Sequence, residues 1–314
     1  MSFELDIGLQ RVVLPAVCSL IGCALLARTD QGEDWYDDEP VKGTALPTVL
    51  GAVLCAVGMI ISDFWQRGLI SAPSEWSSWK ASYQWEWMIW MIPASMVLLA
   101  MARVVFSIPV HFTGLAGTVT SAIAIGVIYV CLNEGAVLDD QHVKLLPWMA
   151  VGCLAAVCNM ASLNSIARAG GSRWVSLTVL GQFGCVAAIT LQSYASLGEW
   201  AVVGIGVALG ASIAGLFRQS SAKLHYGWQL ATIVLPLAIM AVACLATSRF
   251  FFESHSLPYW LIGSVLFLPT IVGVFDIVLG RITSGWFRVV LAASWCSLAL
   301  GAILYITKPW QSEW

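Results

Sequence analysis

Charged residues are scarce in this chain. Of its 314 residues only 11% are Asp, Glu, Lys or Arg, whereas 59% are hydrophobic, and the mean hydropathy is +0.82. A single soluble core of this size could not hide so much apolar surface. The net charge is −3 and no basic cluster occurs, which argues against a nucleic-acid partner, because phosphate binding needs grouped Lys and Arg. The composition therefore predicts a protein whose partner is the lipid bilayer.

The common catalytic motifs are missing as well. The sequence has no G-x-S-x-G, H-E-x-x-H or G-x-x-x-x-G-K-[ST] pattern. Its nine cysteines lie in apolar runs without a C-x-x-C pair, which is typical of small packing residues. Its four histidines lie in loops or at the ends of runs, whereas membrane haem sites need histidines deep inside facing helices. We expect no cofactor and no metal, and nothing in the chain requires an enzyme.

What is present is a series of long apolar runs, many of which open with tryptophan, a residue that favours the bilayer interface. The tryptophans that mark these openings are Trp148, Trp174, Trp200, Trp228, Trp260 and Trp286. Ten runs have the length of about 17–25 residues that crosses a hydrocarbon core of about 30 Å. They are 9–27, 45–62, 85–106, 113–132, 145–167, 174–195, 200–217, 228–247, 259–280 and 286–307. The predicted fold class is all-α: a polytopic transmembrane helix bundle of about ten helices, forming one integral membrane domain over 1–314.

The distribution of Lys and Arg predicts the orientation in the membrane. Nine of them lie at loops after odd-numbered helices and six on the other side. The positive-inside rule then places both termini outside the cytoplasm, in a plasma or inner membrane.

Two predicted loops are long. The acidic loop, 28–44, is either a plain solvated loop or a site for a cation or a basic partner. The Trp-rich loop, 63–84, and the helix start that follows it are dense in indole rings, including Trp76, Trp79, Trp85 and Trp87. This stretch is either an interfacial hairpin or an aromatic docking surface for a lipid, a quinone, a sugar or another membrane subunit.

Polar residues inside the spans are the candidate substrate-binding residues, because burying them in lipid is costly. Asp276 lies past Pro269, where we expect the ninth helix to kink, and Arg103 ends the third helix near the same face. These two residues form either an interfacial ion pair or a proton- or cation-coupling site. Asn159 and Gln182, in the fifth and sixth helices, either make interhelical hydrogen bonds or line a site for an uncharged polar substrate.

Small residues predict where helices pack closely, above all the Gly-x-x-x-Gly step of Gly206 and Gly210 in the seventh helix. The sequence also suggests a weak internal repeat, since the first and sixth helices match without gaps at five positions. The matches are Arg11/Arg173, Val13/Val175, Val17/Val179, Gly22/Gly184 and Cys23/Cys185. Halves 1–167 and 168–314 would then form a five-plus-five inverted repeat, which is typical of transporters. In size and helix count alone, the chain resembles the drug/metabolite transporter superfamily.

Three functions agree with this pattern. A secondary transporter of a small solute, the leading hypothesis, predicts that Asp276, Gln182 and Asn159 converge on one cavity near mid-depth. A non-catalytic accessory or scaffolding subunit predicts a solid bundle and a partner on the Trp-rich loop. An intramembrane enzyme predicts polar residues gathered at one interface, around His111, His142 or His255.

Overall fold

In the computed structural model, all described residues are helical except Pro258 and Phe267. It describes residues 9–28, 45–66, 88–106, 172–193, 195–217, 236–245, 258–279 and 285–307, and positions 150–151, 154–155, 157–159, 161–163, 233 and 248. These ranges contain no strand. Nine of the ten predicted spans contain helical residues, and the fourth, 113–132, lies outside the described residues. The all-α prediction is confirmed for the described part of the chain.

In chain order the helices are α1 (Leu14–Arg28, preceded by a π-helical turn, Leu9–Val13), α2 (Ala45–Gln66), α3 (Met88–Phe106), α4 (Ser172–Ser193), α5 (Ala195–Phe217), α6 (Tyr259–Leu266), α7 (Leu268–Leu279) and α8 (Gly285–Thr307). Helical residues also occur in 150–163 and over Pro236–Leu245. Among the described residues, two helices are long and apolar enough to cross a membrane, at Leu46–Trp65 in α2 and Leu197–Ala214 in α5.

The centre of the bundle is α5. Its described part exposes no large hydrophobic side chain, and the helix packs on α4 and on α1. The Pro236–Leu245 helix is also buried on every face, as expected for an apolar helix surrounded by others. Trp200, which the sequence predicts at a membrane boundary, is completely buried against other helices, and its depth in a membrane stays a prediction. Trp260, by contrast, is exposed at the start of α6.

Glycines allow the backbone of α1 to approach its two neighbours closely. A Cβ added at Gly206 of α5 would lie 2.7 Å from the Val12 carbonyl oxygen, and one at Gly210 would overlap the Ala16 carbonyl. The close approach predicted for the Gly206–Gly210 step is therefore confirmed. On the side of α1 that faces α2, Gly22 lies against the α2 backbone in the same way.

Contacts along the helices give their relative directions. Helices α1 and α2 are antiparallel, and so are α4 and α5, whereas α1 runs parallel to α5 and the 150–163 segment runs parallel to α7. For α1 and α2 the contacts that define the direction are Gly22 with Cys55 and Gly58 with Pro15, and for α4 and α5 they are Phe183 with Gly204 and Leu191 with Gly198. For α1 and α5 they are Arg11 with Glu199 and Ala16 with Gly210, and for 150–163 and α7 they are Asn159 with Thr270 and Ser162 with Gly273.

Candidate functional site

Three charged side chains meet at one end of the bundle. Arg11 lies in the π-helical turn before α1, Asp63 in the last turn of α2, and Glu199 near the start of α5. Arg11 Nη1 lies 3.1 Å from Asp63 Oδ1, and Arg11 Nη2 lies 2.9 Å from Glu199 Oε2. They are the only charged side chains that the structure describes. We call this group the ion triad.

The local sequence explains how Arg11 reaches this position. Pro15 has no N–H for the Arg11 carbonyl to accept in an α-helix, and the π-helical turn shifts the backbone bonds by one residue at this point. The Ser62 hydroxyl donates to the Gln10 carbonyl at 2.7 Å and so joins this turn to the end of α2.

The ion triad has a formal net charge of −1 and is largely buried. The side chains of Arg11 and Asp63 are each 4% exposed, and that of Glu199 is 22% exposed. Arg11 Nε is buried and has no hydrogen-bond partner among the described residues. A buried guanidinium between two carboxylates is costly to leave unpaired, so the triad fixes the ends of three helices relative to one another.

A second polar group lies where the ninth predicted span is interrupted. Helix α6 ends at Leu266, Phe267 forms a turn, and α7 starts at Leu268. The cause is Pro269, which has no N–H to donate to the Val265 carbonyl four residues earlier. The kink predicted at Pro269 is thus present as a break between two helices. We call it the α6–α7 break.

Asn159, which is fully buried, takes the place of a missing backbone hydrogen bond at this break. Its Nδ2 donates to the Leu266 carbonyl at 2.8 Å, and its Oδ1 accepts from the Thr270 backbone N–H at 3.2 Å and from the Thr270 hydroxyl at 2.8 Å. In an unbroken helix the Thr270 N–H would donate directly to the Leu266 carbonyl. The amide of Asn159 therefore inserts between these two backbone groups and satisfies both.

Gln182 of α4 reaches the same break from another side. Its Nε2 donates to the Val265 carbonyl at 3.2 Å and to the Leu266 carbonyl at 3.3 Å. Its Oε1 is buried without a hydrogen-bond partner among the described residues. A buried amide oxygen without a donor costs about 1–3 kcal/mol. The break therefore presents an acceptor suited to an N–H, an O–H or a cation.

The structure brings together two of the predicted substrate-binding residues, since Asn159 and Gln182 both donate to the Leu266 carbonyl. Asp276 lies in α7 and Arg103 in α3, but their side chains are outside the described residues, so their predicted pairing stays a prediction. The predicted docking residues also lie outside the described part of the chain; they are Trp76, Trp79, Trp85 and Trp87. Within that part, no three His, Cys, Asp or Glu side chains are grouped to hold a metal ion, and every described cysteine is a free thiol.

Sequence reasoning missed Thr270 and the ion triad. Arg11 stands two residues inside an apolar run, and this is the one signal that could have marked it. Asp63 and Glu199 border their runs, where charged residues are ordinary, and only the packing of α1 between α2 and α5 shows that the three meet.

Comparison of the chain with protein-family models, with curated proteins and with solved structures found no match. The function therefore has to be inferred from the ion triad, the α6–α7 break and the surface of the bundle.

Proposed function

We propose that this chain is a multi-pass integral membrane protein that acts as a secondary transporter of a small solute. The surface of the bundle supports the membrane class. Large hydrophobic side chains are exposed on α1, α2, α3, α4, α6, α7 and α8. Leu9, Val13, Val17 and Ile21 form a continuous stripe, each 46–49% exposed. Contact of such a surface with water is unfavourable, whereas contact with lipid tails is not.

The helix directions agree with repeated crossing of a bilayer. If each predicted span crosses the membrane once, consecutive spans run in opposite directions. Two spans whose numbers in the chain differ by an even number run in the same direction. The first and seventh spans (α1 and α5) are parallel, as are the fifth and ninth, whereas the first and second, and the sixth and seventh, are antiparallel. All four pairs follow the pattern.

The single observation that carries the transport proposal is the α6–α7 break. At about 1.5 Å per residue, Phe267 lies about 12 Å along a span that covers about 30 Å, close to mid-depth. Discontinuous helices near mid-depth form substrate and ion sites in transporters, because their free backbone groups line a cavity instead of facing lipid. Gln182 Oε1 provides a buried acceptor there.

Close backbone packing defines which helices would move together. α1 is held against α5 at Gly206 and Gly210, and the ion triad joins both helices to α2. We propose that α1, α2 and α5 form the rigid part, and that α6 and α7 rock about the break to expose the site to each side in turn. The moving units therefore differ from the sequence halves 1–167 and 168–314, because α1 and α5 belong to different halves.

Membrane integration is tested by alkaline extraction of isolated membranes and by reporter fusions at the two termini. We expect the protein to stay in the membrane pellet and both termini to face away from the cytoplasm. Release into the soluble fraction would contradict the membrane class, and termini on opposite faces would contradict an even number of crossings.

Alternating access is tested by labelling Ser264→Cys in a background without other cysteines. Ser264 lies two residues before the end of α6, and its hydroxyl bonds only within its helix, to the Leu261 carbonyl at 2.7 Å. We expect a membrane-impermeant maleimide to label this cysteine from both faces. The matched control is Thr190→Cys in α4, a buried position whose hydroxyl also bonds its own helix, which should stay unlabelled. Protection of Ser264→Cys from both faces would favour the accessory-subunit hypothesis.

A further inference from the structure

The α6–α7 break gathers neutral oxygen atoms. The Val265 and Leu266 carbonyls lie at the C-terminal end of α6, and the amide groups of Gln182 and Asn159 lie beside them. The carbonyls at a helix C-terminus carry the negative end of the helix dipole and favour a positive charge. The charged side chains that the structure describes all belong to the ion triad on α1, α2 and α5.

The Gln182 amide can turn either its nitrogen or its oxygen toward the carbonyls of the break. Its Nε2 lies 3.2 and 3.3 Å from the Val265 and Leu266 carbonyl oxygens, which is longer than the usual N–H···O distance of about 2.9–3.0 Å. Rotation of the amide by half a turn would put Oε1 in the place of Nε2. Oε1 would then lie 3.2 and 3.3 Å from the two carbonyl oxygens. Oxygens around a cation are about 3.4 Å apart when each lies about 2.4 Å from an ion of the size of Ca²⁺ or Na⁺.

We propose that the α6–α7 break binds one monovalent alkali cation of the size of Na⁺, held by Gln182 Oε1 and by the carbonyl oxygens of Val265 and Leu266. In the rotated amide the ion would be the partner that Gln182 Oε1 lacks among the described residues, and Nε2 would give up its bonds to the two carbonyls. A single charge suits a set of neutral ligands, since divalent cations are bound mainly by carboxylates. Asn159 keeps its bond to Leu266 and positions that carbonyl.

The site deepens the proposed function, because an ion bound at the break would be the coupling ion of the transporter. Binding itself does not depend on transport. Half-helix ends with unwound carbonyls are a general means of holding Na⁺ at mid-membrane, and the ion would pull the end of α6 toward α4.

The test is the thermal unfolding of the purified full chain in detergent, in NaCl, in KCl and in choline chloride at equal ionic strength. Equal ionic strength separates binding at a site from general screening. At a tenfold excess of Na⁺ over its dissociation constant, we expect a rise in Tm of about 2–4 °C over choline. Radioactive ²²Na⁺ binding to the same protein, with one ion per chain, is the direct readout.

The decisive variant is Gln182→Met, which keeps the length of the side chain and removes the amide. We expect it to lose both the Na⁺-dependent rise in Tm and ²²Na⁺ binding. The control is Thr190→Val, two helical turns further along α4, which should keep both. If Gln182→Met unfolds during purification, Gln182→Glu replaces it: a carboxylate at this position should increase the Na⁺ response.

Three results would overturn the proposal. These are equal Tm values for the wild-type protein in all three salts, an unchanged Na⁺ response in Gln182→Met, and a Na⁺ response in Gln182→Glu no larger than that of the wild type. None of them affects the Ser264→Cys labelling, so a missing ion site and a missing transport function can be told apart. Labelling from both faces without Na⁺ binding would leave a transporter without this ion.

Discussion

Arg11 and Asp63 are 52 positions apart in the sequence and meet at 3.1 Å, where α1 begins and α2 ends. Both side chains are 4% exposed, so solvent screens their attraction only slightly. The second half of the same guanidinium holds Glu199 at 2.9 Å. One arginine therefore connects the start of α1 to the helix that follows it and to a helix 188 positions away in the sequence.

Replacing Arg11 by Met should destabilise the protein strongly. Two carboxylates would stay at the junction without their cation, and breaking a buried ion pair by removing one partner costs about 3–5 kcal/mol. Glu199→Gln should cost less, about 1 kcal/mol, because Glu199 is partly exposed and its loss leaves the Arg11–Asp63 pair intact. Denaturant or SDS unfolding of the purified protein measures both. Equal stability of Arg11→Met and the wild type would show that the triad does not hold the helices together.

Gly210→Ala should destabilise the protein although alanine favours helices over glycine by about 1 kcal/mol. A methyl group at Gly210 would meet the α1 backbone, and overpacking of this kind costs about 1–3 kcal/mol. The control is Gly301→Ala in α8, where an added Cβ would have nothing within 4 Å. This substitution should stabilise the protein. Thermal unfolding of the two variants should give shifts of opposite sign. A gain in Tm for Gly210→Ala would argue against close packing of α1 on α5.

Asn159→Leu should cost about 1–3 kcal/mol, because it leaves the partly buried Thr270 N–H without its acceptor. Pro269→Ala restores an N–H at the break and allows the helix to continue, so that Thr270 can bond to Leu266 directly. In the Pro269→Ala background, Asn159→Leu should therefore cost at least about 1 kcal/mol less. A double-mutant cycle from unfolding curves measures this coupling. Additive effects would mean that Asn159 acts independently of the break.

A nitroxide at Val17→Cys should be in contact with lipid. Val17 is 46% exposed in the apolar stripe of α1. In reconstituted bilayers, we expect its spin relaxation to be accelerated by O₂, which concentrates in lipid, and not by a water-soluble nickel chelate. The control is Ser19→Cys, because Ser19 faces α5 and its hydroxyl donates to the Val207 carbonyl at 2.8 Å. At this position both O₂ and the nickel chelate should accelerate spin relaxation only weakly. Strong relaxation of the Val17 label by the nickel chelate would place this face in water.

Much of the local structure could be predicted from residue types. Continuous apolar runs predicted the helices, because the helix satisfies the backbone polar groups within each run. Pro269 predicted the interruption of its helix, and the Gly206–Gly210 step predicted close approach of another helix. The burial of Trp200 could not be predicted, since a tryptophan at the start of an apolar run can face lipid or pack against another helix, and in this protein it packs in the core.

The sequence by itself determined the helical class, the apolar exterior and the places where a helix is broken or packed closely, because each of these depends on a residue and its near neighbours. The tertiary structure alone decided which residues meet. Arg11, Asp63 and Glu199 come together only because α1 lies between α2 and α5, and Asn159 and Gln182 reach Leu266 only because their helices pack against α6. Such long-range contacts depend on how whole helices pack, and that packing is the sum of many weak interactions along their length.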